Sequence, residues 1–368
     1  MPYFDNAATS LPKPAAVSEA VQTALQTFGN PSRSAHAEAM AAGHMLAEAR
    51  DEIAAFFGCR NAERVVFTKN VTEALNIAIQ GLDGHIVTSE AEHNSVLRPV
   101  HHKGDYTFTR VDEKGRVHTG AIKKAVTPKT VAIVLAHASN LTGNPVPVGD
   151  IGAFCRENGL LFIVDAAQTA GLYPIDMEAL CIDALCFTGH KSLYGPQGTG
   201  GLCLGERYDP RPLMQGGSGS RSFELEHPDF LPDRLEAGTL NGHGIAGLLA
   251  GVRYLREKGQ APLKEARRLE KLFYGLVAEI PGIELYGDYE MQGRAPIVSL
   301  NLEGYSSGEL AAVLSDEYEI AVRSGIHCAP LLHRRFGTEK RGAVRFSFSH
   351  FNTEQEVRLG AQALRALV

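Results

Sequence analysis

Apolar positions along this chain follow two rhythms. Between residues 15 and 57 they recur at helical spacing in two stretches, 15–28 and 36–57, and Gly58 is a natural stop for the second, alanine-rich one. That spacing predicts two helices. From residue 64 to residue 204 the rhythm changes. Short apolar runs at 64–67, 85–88, 130–137, 160–164, 184–187 and 201–204 read as strands, and helical stretches at 72–80, 94–102, 119–126 and 148–158 lie between most of them. Alternation of this kind predicts βαβ units and a mostly parallel sheet covered by helices. Such sheets bind ligands at the carboxyl ends of their strands. Thr68, Thr88, Asn140, Asp165 and Thr188 all follow strand candidates, which puts them on one edge.

Beyond about residue 255 the pattern changes again. A charged helix at 262–278 precedes strands near 283–285 and at 297–302, then a helix at 307–314, a segment at 320–323, a strand at 343–349 and a helix from Thr353. These form a smaller α+β unit. The first dozen residues are extended, bounded by prolines, and expected to cross over to it. The predicted organisation is a large α/β unit at 14–255 and a small unit made of 1–13 with 256–368.

Composition narrows the function classes. The chain of 368 residues, 44% hydrophobic and 21% charged, has length for about two domains with sizeable cores. A net charge of −6 argues against general affinity for nucleic acid or an anionic membrane. No apolar run reaches the roughly 18 residues that a membrane span needs. Met1-Pro2-Tyr3-Phe4-Asp5 lacks the basic start and apolar core of a secretory signal. Six cysteines stand far apart without a Cys-x-x-Cys pair, and most read as small core residues in a reducing, cytoplasmic compartment. The histidines lack the spacing of a zinc site, so no metal is expected.

The candidate chemistry starts at Thr188-Gly189-His190-Lys191, about two dozen residues after Asp165 closes the apolar run from Leu160 to Val164. A buried strand that delivers a carboxylate at its end, followed by a lysine in a short polar turn, is what a pyridoxal 5'-phosphate enzyme needs. The lysine holds the cofactor aldehyde as a Schiff base, and the carboxylate keeps the pyridine nitrogen protonated so that the ring can absorb electrons. A phosphate needs backbone N–H groups at a helix start plus hydroxyls, and Thr72 at the start of Thr72-Glu73-Ala74-Leu75-Asn76 supplies this. Arg345, in the alternating run Val344-Arg345-Phe346-Ser347-Phe348, carries a planar guanidinium suited to a substrate α-carboxylate. The glycine-rich stretch at 195–201 precedes a strand, which is the wrong order for a dinucleotide loop.

Taken in order, Tyr3-Phe4-Asp5-Asn6-Ala7-Ala8-Thr9, Asn30-Pro31-Ser32, Thr72-Glu73-Ala74, Glu92-His93-Asn94, Ser139-Asn140-Leu141-Thr142-Gly143, Val164-Asp165-Ala166-Ala167-Gln168, Gly189-His190-Lys191, Glu236-Ala237-Gly238-Thr239 and Arg323-Ser324-Gly325-Ile326-His327-Cys328 resemble the cysteine desulfurases and selenocysteine lyases, a class V branch of fold-type I pyridoxal phosphate enzymes. The resemblance covers essentially the whole chain. It implies a large domain with a mostly parallel seven-stranded sheet between helices, plus a smaller α+β carboxyl-terminal domain. It implies that Lys191 also moves the Cα proton, that His93 stacks on the pyridine ring, and that Gln168 and Asn140 contact the ring's phenolic oxygen region. By the same resemblance, Thr188 and His190 join Thr72 at the phosphate. Thr239 reaches the phosphate of a neighbouring subunit, which implies a homodimer. Arg345 takes the substrate carboxylate, and Asn6, Ala7 and Ala8 border that pocket. One departure is Asn70-Val71, where the family usually has glycine. Asn tolerates the left-handed conformation, so the turn is expected to survive, with Val71 as a backbone donor.

Cys328 decides the reaction. It lies in a polar loop flanked by cations and glycine, a setting that favours thiolate and permits motion. The resemblance implies that it attacks the sulfur of bound L-cysteine, leaving a persulfide on the enzyme and alanine as product. The family's frequent His-His-Cys reads Ile326-His327-Cys328 here, which leaves the acid/base partner open. The short segment from Arg323 to Pro330 resembles the subgroup with a tightly held cysteine loop, which tends to need a sulfur-acceptor protein. Three other readings stay open: a selenocysteine lyase acting on L-selenocysteine, an aminotransferase or C–S lyase with Cys328 incidental, and a non-catalytic sulfur scaffold.

Overall fold

The computed structural model describes residues 1–31 and 34–368. Ser32, part of the Asn30-Pro31-Ser32 marker, lies outside the described residues. The predicted alternation is realised as β1 (Val65–Thr68), α3 (Val71–Gln80), β2 (His85–Ser89), α4 (Asn94–Lys103), β3 (Tyr106–Thr109), α5 (Thr119–Ala125), β4 (Thr130–Ala136), α6 (Val148–Glu157), β5 (Leu161–Asp165), β6 (Ala184–Thr188) and β7 (Gly200–Leu204). They follow two helices, α1 (Ala15–Thr27) and α2 (Ala37–Phe57). The seven strands form one sheet in the order β1-β7-β6-β5-β4-β2-β3. Only β7 runs antiparallel, against both β1 and β6, so the carboxyl ends of β1 to β6 share one edge.

Both faces of this sheet are covered, which is why its central strands read as unbroken apolar runs. Ile133, Leu135, Phe162 and Val164 pack on one side with Ile53 and Phe57 of α2. Ala132, Val134 and Ile163 pack on the other with Leu75 and Ile79 of α3. The seventh strand, β3, has no counterpart among the apolar runs. Its Tyr106-Thr107-Phe108-Thr109 lies at the sheet's edge, mostly half-buried, where alternate polar residues are tolerated.

The seventeen-residue helix α7 (Gly242–Lys258) also has no counterpart in the pattern. It is rich in glycine, a poor helix former, but the glycines let it approach closely. A Cβ on Gly251 would stand 2.1 Å from the Leu193 carbonyl, so α7 lies directly on the turn that follows Lys191.

The remaining elements are α8 (Ala261–Val277), β8 (Ile283–Tyr286), β9 (Ile297–Leu302), α9 (Ser307–Asp316), β10 (Arg323–Gly325), α10 (Pro330–Phe336), β11 (Ala343–Ser347) and α11 (Glu354–Ala366). The four strands make an antiparallel sheet in the order β10-β11-β9-β8. The segment expected at 320–323 shifts: the ladder starts at Arg323, while Ala321 bridges to Tyr3 instead. Helix α10 is absent from the sequence reading. The amino terminus joins this sheet, with Asp5 bridged to Ser347 and Phe4 buried among Phe273, Phe346 and Phe348. Among the described residues no helix is long and apolar enough to cross a membrane.

Candidate active site

A cavity of about 250 Å³ opens at the carboxyl edge of the large sheet. Its wall brings together Val71, Thr72, His93, Asn140, Asp165, Gln168, Thr188, His190 and Lys191. Three strand ends explain this convergence. Asp165 is the last residue of β5, Thr188 the last of β6, and Ala136, also on the wall, the last of β4. Sequence spacing of about two dozen residues between Asp165 and Lys191 therefore becomes adjacency across neighbouring parallel strands.

Desolvation dominates the electrostatics. It lowers Lys191 to about 8, with the Asp165 charge opposing and the Arg345 and Arg323 cations assisting. It raises Asp165, against a hydrogen bond from Ala167 N (2.8 Å) and the charge of Lys191. It lowers His93 and His190 to about 4, with the Lys191 charge assisting at both. Both imidazoles are therefore neutral at pH 7. His93 caps α4: its Nδ1 accepts from Ser95 N at 3.0 Å, which fixes the ring on the wall.

The wall fits a phosphorylated pyridine. Helix α3 begins there, and the amides of Val71 and Thr72 lie in its first turn, where N–H groups have no intrahelical acceptor. Among the described residues Asn140 Oδ1 and His190 Nδ1 are buried without a hydrogen-bond partner, so two wall residues keep unspent capacity. A desolvated acid with raised pKa returns to the carboxylate when a cation is brought against it, as a pyridinium nitrogen would be at Asp165. The local geometry differs from the sequence expectation in one respect. Asn70 is not left-handed but extended (φ −173°), and it caps α3 by accepting from Glu73 N at 3.0 Å. Thr72 is thus not the cap; its hydroxyl instead meets Ser95 Oγ at 2.8 Å.

Other expected site residues lie off this wall. Arg345 is buried, not a solvent-facing strand arginine: its guanidinium donates to Asn140 O (3.0 Å) and to Asp5 Oδ1 (3.1 Å). Its Nε is buried and unpartnered among the described residues, so the guanidinium keeps unspent donor capacity. Asn6 turns away, donating to Ser347 O (3.1 Å) and Asn352 Oδ1 (3.3 Å), so its side chain braces the amino terminus instead of bordering the cavity. Ala8 is not on the wall either; its amide closes a turn onto Asp5 O. Thr239 is exposed and outside its own chain's cavity.

Cys328 is exposed, between β10 and α10. His327 and Cys328 both take positive φ, 50° and 55°, an unusual pair for non-glycine residues. The turn is pinned at both carbonyls: Asn140 Nδ2 donates to His327 O (2.7 Å) and Asn94 N to Cys328 O (2.8 Å). His327 points inward, donating through Nε2 to Ala343 O at 2.9 Å, and burial lowers it to about 3. Its other nitrogen, Nδ1, is buried without a partner among the described residues.

Comparisons with known proteins give the chain's family and fold. Residues 2–359 match the family described as aminotransferase class V. The chain is 34% identical to a probable cysteine desulfurase of Methanothermobacter thermautotrophicus, over 99% of this chain and 94% of that one. It is 36% identical to a probable cysteine desulfurase of Pyrococcus abyssi, over 100% and 94%. The chain belongs to the cysteine desulfurase family. An apo cysteine desulfurase from Thermococcus onnurineus has the same fold, with a TM-score of 0.92 at 32% identity, covering 100% of this chain and 94% of that one.

Within this cysteine desulfurase family member, two acids escaped the sequence reading. Asp5 holds Arg345 across 340 positions, so no local pattern could pair them. Glu92 is fully buried, accepts from Ser89 Oγ (2.5 Å) and Ala136 N (2.7 Å), and is pushed up to about 8 by burial. Its signal was an acid directly before His93, between apolar runs.

Proposed function

We propose that the protein is a pyridoxal 5'-phosphate-dependent cysteine desulfurase that converts L-cysteine to L-alanine and carries the sulfur on Cys328. The observation that carries this reading is the pairing of Lys191 and Asp165 in one desolvated cavity with an exposed cysteine, Cys328, whose carbonyl is bonded to the residue after His93. Residues 14–255 would hold the cofactor, and residues 1–13 with 256–368 would present the cysteine. When bound, pyridoxal phosphate supplies an electron sink for the substrate's Cα.

The chain's own groups do the rest. Val71, Thr72, Thr188 and His190 would hold the phosphate, His93 would lie against the ring, and Gln168 and Asn140 would serve its phenolic oxygen. Asp165 would keep the ring nitrogen protonated. Lys191, lowered to about 8, has a basicity near neutrality that suits taking and returning the Cα proton. Arg345 binds the α-carboxylate. The Cys328 thiolate then attacks the substrate sulfur. An S–S bond forms, the Cβ–S bond breaks, and its electron pair stays on the substrate carbon, which takes up a proton to become the methyl group of alanine. The pinned loop supports hand-over to a sulfur-acceptor protein that comes to Cys328. Thr239, exposed and away from its own cavity, supports a homodimer in which it reaches a neighbour. Six free thiols support a reducing, cytoplasmic location.

The test is mass spectrometry after incubation with L-cysteine. The peptide containing Cys328 gains the mass of one sulfur atom, and alanine appears in solution. Alanine without that mass gain would turn the reading to a C–S lyase or aminotransferase.

A further inference from the structure

Nothing in the mechanism above uses residues 9–13, yet they converge on the peptide that carries Lys191. The carbonyl of His190 accepts from three donors: Thr9 Oγ1 (3.1 Å), Ser10 N (3.1 Å) and Lys13 Nζ (3.1 Å). The next carbonyl, that of Lys191, accepts from Ser10 Oγ (2.6 Å) and Tyr194 N (2.9 Å). A carbonyl oxygen has two lone pairs, so a third donor that is an ammonium acts chiefly through its charge. Among the described residues no carboxylate pairs with Lys13; its charge acts on His190, and burial lowers its own amine to about 8. Fixing two successive carbonyls fixes the two peptide planes that flank the Lys191 Cα and hence the direction in which its side chain leaves the backbone.

We propose that Lys13 is a positioning residue for Lys191, holding the His190–Lys191 peptide from outside the cavity so that the amine stays aimed into it. The inference deepens the proposed function and rests on it for the importance of Lys191, not for the geometry. The same segment carries Asp5 to Arg345 and Ala7 O to Gln168 Nε2 (3.2 Å), so one strap touches two of the proposed functional side chains and the backbone that carries a third.

The experiment compares Lys13→Met with Lys13→Arg. In cofactor-free protein, acetylation of the Lys191 amine by acetic anhydride is followed by mass spectrometry across pH. The parent is expected to titrate near its shielded value of about 8. Lys13→Met shifts the midpoint up by about one unit, which is about tenfold less free amine at neutral pH, and Lys13→Arg keeps the parent's midpoint. This arm needs no cofactor, so its failure is separate from a failure of the proposed function. In loaded enzyme, Lys13→Met lowers kcat about tenfold with KM within about twofold, and Lys13→Arg restores it. An unchanged midpoint in Lys13→Met overturns the proposal. So does equal loss in both variants, which would mark a purely structural dock. Should Lys13→Met not fold, Thr9→Val removes another of the three donors: a smaller upward shift supports the strap and no shift overturns it.

Discussion

Lys191 and Cys328 are the two reacting side chains of the proposed mechanism, and the fold treats them in opposite ways. Lys191 stands at the edge of a sheet covered on both faces, beside an acid that burial pushes up and two histidines that burial pushes down. Cys328 stands in the open, on a turn whose backbone is left-handed at two successive residues. Imine chemistry gains from desolvation, because a lysine shifted towards neutrality is both a nucleophile and a base. Sulfur delivery gains from exposure, because the product must be handed to something outside. The lesson is that one site can be dry at the carbon and wet at the sulfur, provided different layers carry the two groups.

The strongest way to break this comparison is at the dry end. Lys191→Ala is expected to cut alanine formation by roughly 10³-fold or more. It should not lower the melting temperature, because burial already opposes the ammonium there. At the wet end, Cys328→Ala should reduce alanine formation from L-cysteine about 100-fold and leave stability within about 0.5 kcal/mol, as for an exposed side chain. Selenium release from L-selenocysteine is retained in that variant if the site also acts as a lyase, and alanine assays on both substrates decide it. Arg345→Lys replaces a planar, two-armed donor by a point charge. It should weaken kcat/KM for L-cysteine by about 2 kcal/mol, roughly thirtyfold, with most of the change in KM.

Acid sharpens the contrast in the other direction. His93, His137 and His190 are lowered to about 4 and His327 to about 3, so the folded state binds their protons less readily than the unfolded chain does. Stability is therefore fully present above about pH 6.5 and is lost as pH falls from there towards 4. The loss should be about 0.5–1 kcal/mol for each shielded histidine between pH 7 and pH 6, read from denaturant midpoints. The smallest effect is expected at Asn70→Gly, which removes the bond to Glu73 N and should cost only a few tenths of a kcal/mol.

How much of this was legible in the chain follows the same division. The dry end was readable because β-strand ends and helix starts are local features: Asp165, Thr188 and His93 each sit where an apolar run stops. The missing seventh strand and the glycine-rich α7 were silent because edge burial and close helix approach are decided by tertiary contacts, not by periodicity. The surroundings of Arg345 and Cys328 were the least legible. Asp5, Asn94 and Asn140 come from three distant segments, and nothing in the sequence near Ile326-His327 tells that the imidazole turns inward onto Ala343 O. Asn6 shows a mixture, with Tyr3 O as a local partner and Ser347 O and Asn352 Oδ1 more than 300 positions away.

The bond from Asn94 N to Cys328 O ties the cysteine to the first residue of the helix that His93 caps. A loop on such a tether cannot swing far without fraying the helix end that His93 caps. Delivery by a travelling arm is thus costly here, and a short-range visit is cheap: the recipient has to bring its own nucleophile down to the protein surface. On the proposed mechanism, that arrangement would hold the sulfur at the enzyme until an acceptor docks.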